Sequence, residues 1–331
     1  MTTVSGVTHG RQPDGRKSRL PAATIPLTGQ QYEIGAGRYR ATVTELGAGL
    51  RELLYRDQPV TARYEPDELP PGGAGQLLAP WPNRIDGGRY TFGGTDYQLA
   101  LTEPAHGNAI HGLTRWTAWT LVRHDASAVL LRSAPHGQQG YPFCLQIDAE
   151  YRLDPGTGLH VAITATNRGS RAAPYGTGSH PYLTVRTSSV DDCELRLPAA
   201  LRLPVDDRGI PSGPPAAVDG TPYDFRKPRT IGATRLDHAL TGLDREGDGR
   251  AWAHLAAGDG GGARVGLWAG EGYRWLQVFT GDPLPPDRRR KAVAIEPMTC
   301  PPNAFVTAED LLVLEPGEEV THTWGIQVFN S

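Results

Sequence analysis

The chain has 331 residues and carries 41 Gly and 29 Pro, roughly one residue in five against about one in eight on average, which excludes long helices, coiled coils and helical bundles. With 33 basic and 36 acidic residues the formal charge is -3, so the basic face that nucleic-acid phosphates demand is missing. No apolar run approaches the length of about 18 residues that spans a bilayer. Cys144, Cys193 and Cys300 are widely separated and give neither a disulfide framework nor a CxxC zinc pattern.

Residues 1–27 are polar, rich in Thr, Gly and Pro, and too poor in apolar surface to offset their ordering entropy, so they read as a flexible arm before a single domain over 28–331. They lack a secretory apolar stretch, which predicts a cytoplasmic protein. Period-two alternation follows at Tyr39 to Leu46 and at Ala128 to Leu131. It is clearest at Leu145, Ile147, Ala149, Tyr151 and Leu153, and again at Leu159, Val161, Ile163 and Ala165, with Gly156 and Gly158 between them. Two such runs with a glycine turn predict a β-hairpin. Further strands are expected at Trp275 to Phe279 and around Trp324, Ile326 and Val328. Between Ala304 and Leu314 there is room for one short helical turn, bounded by Pro301, Pro302 and Pro316. The fold class is all-β and antiparallel, with Gly/Pro loops carrying the chemistry.

Five segments concentrate polar residues beside aromatics. In Pro80-Trp81-Pro82-Asn83-Arg84-Ile85 an arginine is held between a proline loop and a Gly87-Gly88 turn, placed to offer a fork of donors to sugar hydroxyls or carboxylates. On local sequence the commoner reading is a surface arginine that solvates a turn. His106 and His111 are five apart without a third ligand or an HExxH helix, so no metal site is expected. Trp116 and Trp119 just after them read as core, unless one offers its ring face to a ligand. Around Ser179, Thr177 and Pro181 stand where a GxSxG elbow needs glycines, which removes a serine nucleophile. His180, between glycines and a proline, is suited to be a positioned acid or base.

Asp237, in Leu236-Asp237-His238, either accepts from a polyhydroxy ligand or caps a turn. Glu296 ends the apolar run Ala292-Val293-Ala294-Ile295, and Pro297 favours an extended backbone there. A carboxylate at the end of such a strand is costly to bury without partners, which makes it the least ordinary residue in the chain. The run Arg288-Arg289-Arg290-Lys291 reads as a solvated loop.

With these segments in hand, the chain resembles the aldose 1-epimerase (galactose mutarotase) family. The resemblance rests on Asn83-Arg84-Ile85, Asn108-Ala109-Ile110-His111-Gly112, Ser179-His180-Pro181-Tyr182, Leu236-Asp237-His238 and Ile295-Glu296-Pro297, in the family's order from about Tyr32 to Phe329. The wording Glu296-Pro297-Met298-Thr299-Cys300-Pro301-Pro302-Asn303 is similar to a bacterial subgroup that includes sulfoquinovose mutarotases, and its departure after the glutamate puts galactose in doubt as substrate.

The resemblance implies a large antiparallel β-sandwich, or supersandwich, with an open sugar cleft. Carried over by position, it makes Glu296 the catalytic base and His180 the catalytic acid. Asn83, Arg84, His111 and Asp237 fall on sugar-binding positions. The implied partner is a hexose or hexose derivative, handled by a monomer or homodimer without cofactor or metal. The expectation is an ionised Glu296 and a protonated His180, each charge favouring the other, facing opposite sides of the pyranose. Three alternatives stay open: a non-catalytic carbohydrate-binding protein, a glycoside hydrolase using Glu296 and Asp237 as its two carboxylates, and a sugar-phosphate epimerase drawing on Arg288 to Lys291.

Overall fold

The computed structural model describes residue 2 and residues 24–185, 187–258 and 264–329, so most of the expected arm over 1–27 lies outside the described residues. The described chain is nearly all β. The alternating runs become the strands Leu145–Asp154 and Gly158–Asn167, paired antiparallel from Leu145 opposite Asn167 to Asp154 opposite Gly158. That hairpin supplies the third and fourth strands of a nine-stranded sheet, in which Gly158–Asn167 pairs next with the central strand Glu319–Phe329. A second sheet of eight strands contains Asp237–Leu243, Trp275–Phe279 and Val293–Met298 side by side, followed by Gly178–Ser179 and Leu77–Leu78. A four-stranded sheet begins with Gln31–Ala36 and Tyr39–Thr44. The expected helical turn is there, a four-residue helix over Ala304–Thr307.

The two large sheets share one core. Ile147, Tyr151, Val161 and Ile163 from the first are fully buried in the same cluster as Leu240, Leu276, Val278, Val293 and Ile295 from the second. Burying a side chain of this kind contributes about 1.5–3 kcal/mol, so this contact fixes which face of each strand points inward. A strand's next residues then point the other way. On the eight-stranded sheet those residues are Asp237, Ala239, Trp275, Gln277, Phe279, Ala294, Glu296 and Met298, and this second face forms the floor of a cleft.

Candidate active site

Glu296 lies inside its strand, because Val293–Met298 runs on through the proline. Sequence reasoning placed the carboxylate at the strand's end, with Pro297 favouring an extended backbone there. Pro297 pairs opposite Leu276, and it falls where the ladder on the other side is interrupted between Gly178–Ser179 and Tyr182–Leu183. A residue with no N–H is tolerated where its neighbour strand bends away. Gln277 stands directly opposite Glu296, and Asp237 opposite Phe279, one strand further. Gln277 Nε2 donates to Asp237 Oδ1 at 2.6 Å. Gln277 Oε1 and Glu296 Oε2 are buried acceptors with no protein partner among the described residues.

His180 occupies the bend that interrupts the ladder. Its backbone is pinned on both sides, since His180 N donates to Gln76 O at 3.0 Å and Gly75 N donates to His180 O at 2.9 Å. The imidazole stacks on Tyr182 with centroids 5.0 Å apart, and the Tyr182 hydroxyl donates to Gly72 O. His180 Nε2 then sits 3.3 Å from Glu296 Oε1, both side chains almost wholly buried. Burial pushes the Glu296 carboxyl well above its usual range; the Asp237 charge adds to this and Arg84 opposes it. Burial likewise holds His180 down to about 3, with the Arg115 charge acting in the same direction. Burial thus works against the expected ion pair and favours a neutral pair with its proton on Glu296, because each charged form loses hydration here. The expectation of opposite faces is corrected: the two groups are neighbours on one wall.

The facing wall is built from two backbone positions in the left-handed region, Asn83 (φ 54°) and His111 (φ 63°). Such conformations are rare outside glycine and cost free energy, so they need support. They support each other: His111 N donates to Asn83 O at 2.9 Å, and Asn83 N donates to His111 Nδ1 at 3.2 Å. With Nδ1 accepting, a neutral His111 carries its hydrogen on Nε2, as a donor. Burial holds it well below its usual titration range, and the nearby Arg115 and Arg84 charges act in the same direction. Gly112 continues the turn at φ 72°, and a Cβ there would meet Ala79 O at 2.0 Å, so glycine is required. The neighbouring strand Arg84–Asp86 carries Arg84, whose Nε and Nη2 both donate to Glu103 at 2.9 Å. Asn303 fastens this strand, taking Asp86 N on its side chain and giving its own N–H to Arg84 O.

These walls enclose an open cavity of about 390 Å³ that contains Asn83, Arg84, His111, His180, Asp237 and Glu296. All six residues singled out in the sequence are thus brought together. Asp237 is open to the cleft but surrounded by protein elsewhere, and burial raises its carboxyl against the lowering effects of Arg84 and Gln277. Gln277, Glu103 and Arg115 also line the cleft and escaped sequence reasoning. Trp116 is half exposed at the cleft, whereas Trp119 is core as expected. The basic run lies elsewhere. Arg288 pairs with Glu68 and Arg290 with Asp191 and Asp282, while Arg288 and Lys291 line a neighbouring cavity of about 240 Å³. The solvated-loop reading is corrected to a tied-down one. Among the described residues no group of three or more His, Cys, Asp or Glu is arranged to hold a metal ion.

Residues 30–327 match the family model described as Aldose 1-epimerase. The uncharacterized Escherichia coli K12 protein YihR is 37% identical over 90% of this chain and 93% of its own length. Human galactose mutarotase is 31% identical over 51% of this chain and 50% of its own, so that similarity spans about half of each protein. Among solved structures, the GalM/aldose epimerase homologue from C. elegans gives a TM-score of 0.81 at 20% identity, covering 91% of this chain and 99% of that one. Galactose 1-epimerase from Lactobacillus acidophilus NCFM gives 0.75 at 22% identity, covering 89% and 93%. The structures establish the supersandwich fold, and the family match over nearly the whole chain establishes that the protein belongs to the aldose 1-epimerase family, isomerases of the mutarotase kind.

Proposed function

We propose that this protein interconverts the α and β anomers of a hexopyranose, with Glu296 and His180 as the proton-transfer pair. The observation that carries the reading is their 3.3 Å contact at the floor of the cleft. Ring opening needs one proton removed from the C1 hydroxyl and one delivered to the ring oxygen. Both oxygens are bonded to C1, so base and acid must be neighbours. Glu296 takes the O1 proton while His180 gives one to O5, the C1–O5 bond breaks, and an open-chain aldehyde forms. Rotation about C1–C2 turns the other face of the carbonyl to O5. His180 then takes the O5 proton, Glu296 returns one to O1, and the opposite anomer results with the original protonation restored.

The neutral pair fits this cycle. Ionised Glu296 with protonated His180, and protonated Glu296 with neutral His180, differ only in where one proton sits. Sugar hydroxyls and the Arg84 charge favour the ionised tautomer, the one that attacks the closed ring. After opening, the pair is left in the neutral tautomer that burial prefers. A carboxylate with a raised pKa is a stronger base and an imidazole with a lowered one a stronger acid, so both transfers to the sugar are helped. His111 Nε2–H, Arg84, Asp237 and Asn83 hold the sugar, and the orphan acceptor of Gln277 takes a hydroxyl.

Two-dimensional exchange NMR or polarimetry tests the assignment. Glu296→Gln keeps the shape but cannot accept the O1 proton, and catalysed anomer exchange should fall by about 10²–10⁴-fold. Wild-type exchange rates in that variant would remove Glu296 from the mechanism.

A further inference from the structure

Two of the three Arg84 nitrogens are committed inside the protein. Nε and Nη2 donate to Glu103, and among the described residues Nη1 has no hydrogen-bond partner, which leaves it as the donor for a ligand in the cleft. A loop from the floor of the cleft lies against that atom. The strand Ala199–Arg202 pairs with Asp237–Leu243. The chain then leaves the eight-stranded sheet, with Leu203 packed on Ala239, Trp275 and Met298 of its cleft face. Asp206 closes the loop on itself, its carboxylate accepting from Arg208 N and Ile210 N at 2.9 Å each. Gly209 follows at φ 74°, and a Cβ there would lie 2.5 Å from Arg84 Nη1 and 2.9 Å from its Cζ.

Arg208 anchors the loop to the facing wall. Its Nε donates to His106 O at 2.9 Å, and its Nη2 donates to Asn108 Oδ1 at 3.0 Å and pairs with Asp86 at 2.7 Å. Asn108 is fully buried, and its Nδ2 reaches both Arg208 O at 3.0 Å and Glu103 Oε2 at 3.2 Å. The carboxylate it touches is the one that holds Arg84. Asn108, Arg208 and Gly209 stand behind the cavity lining rather than in it. We propose that these three are positioning residues for the sugar. They set where Arg84 Nη1 meets it, by closing a loop from the sheet that carries Asp237 onto the wall that carries Arg84. The inference rests on the role proposed above for Arg84 in holding the sugar. A side chain at 209 would have to regain an ordinary contact of about 3.5 Å, a displacement of about 1 Å. The loop is tied at both ends, so the far end of the arginine yields, and the protein folds with Nη1 moved.

The test compares Gly209→Ala with Gly220→Ala. Gly220 has φ 71° and open space around its Cβ, so alanine there carries the same backbone strain without a contact. A crystal structure of Gly209→Ala should show Arg84 Nη1 displaced by about 1 Å; a guanidinium left in place overturns the inference without reference to any substrate. Anomer exchange is then followed by NMR on whichever of glucose, galactose, mannose and their 6-phosphates the wild type accelerates most. Gly209→Ala and Arg208→Met should each lower kcat/KM about tenfold or more, chiefly through KM, and Gly220→Ala by less than about twofold. In an Arg84→Met background both changes should lose their effect. Losses shared by Gly220→Ala, or losses of full size without the Arg84 guanidinium, overturn the inference, since the loop would then only brace the fold. Wild-type kinetics in Arg84→Met remove Arg84 from sugar binding and overturn it too, with the Glu296 and His180 chemistry left standing. No acceleration with any of these sugars overturns the mutarotase reading itself, and the displacement of Nη1 then decides the role of the loop.

Discussion

Replacing Glu103 by Gln tests how the cleft holds its principal cation. The Arg84 and Glu103 side chains are 15% and 18% exposed and share two 2.9 Å hydrogen bonds. Removing one partner of a buried pair costs about 3–5 kcal/mol, because the other charge is left without compensation. Two features reduce that figure. The amide still accepts one N–H, and the Asp237 charge still attracts the guanidinium. The expected loss of stability is about 2–3 kcal/mol. Arg84 should then turn toward Asp237 and away from the sugar, and a misplacement of about 1 Å can cost about a hundredfold in rate. Urea denaturation gives the first quantity and NMR anomer exchange, resolved into kcat and KM, the second. The pH dependence is a further check. Burial raises the Glu103 pKa, but the hydrogen bond and charge of Arg84, with His106 and Asn108, outweigh it and lower it below 4.5. The stabilisation is present above that value and lost as pH falls through the lowered one, so the gap between wild type and variant should narrow in acid. A Glu103→Gln enzyme that loses stability and keeps wild-type kcat and KM would show that the pair braces the loop without aiming Arg84.

Stability against pH separates the two members of the buried pair. His180 is held to about 3 against a usual 6.5, so its share of stability is full above pH 6.5 and lost as pH falls toward 3. Glu296 is raised, so its share is full below its usual 4.5 and lost as pH rises through the raised value. In denaturant titrations His180→Gln should flatten part of the acid side, leaving the slope from His111 and His160, both lowered by burial, and from His238, His254 and His322, each held near 4 by burial. Glu296→Gln should flatten the opposite side; an unchanged profile in both variants would contradict the neutral pair. Gly73 sits at φ 80°, and a Cβ there would lie 3.1 Å from His180 Cδ2. Gly73→Ala should therefore displace the imidazole and lower kcat by about tenfold or more, with a stability loss of about 1–2 kcal/mol from the left-handed backbone; unaltered kcat would mean that the loop yields freely.

Much of this was legible because it is local. Period-two alternation specifies which residues of a strand share a face, and the hairpin at Leu145–Asp154 and Gly158–Asn167 has the expected partners and turn. Glu296 stood out because an ionisable group inside an apolar run has few bland explanations. Arg84 did not, since an arginine near a turn usually solvates it, and what sets this one apart is Glu103 across a loop 19 residues on. Gln277 fell inside the strand expected at Trp275 to Phe279 and was not singled out. It reaches the cleft only because Leu276 and Val278 face the core, a choice made by register against Glu296 and Asp237. Its signal was available: one amide between Trp275 and Phe279, with no local partner. His106, half exposed, lies 3.1 Å from Glu103.

The placement of Glu296 and His180 connects stability to chemistry. A carboxyl on a fully buried strand is stable as an acid, and an imidazole in the adjoining bend is stable as a base. In the mechanism proposed above, the fold therefore opposes the protonation state that attacks a closed pyranose and favours the one left after opening. An enzyme gains rate from interactions stronger at the transition state than in the ground state. In that proposed mechanism, the burial energy that opposes the ionised pair is recovered as the proton moves from His180 toward O5 and from O1 toward Glu296. The same burial makes Glu296 ionisation destabilising near neutral pH. Glu296→Gln should consequently be at least as stable as wild type at pH 7 while nearly inactive, a combination expected where a site is held for reactivity against the preference of its own core.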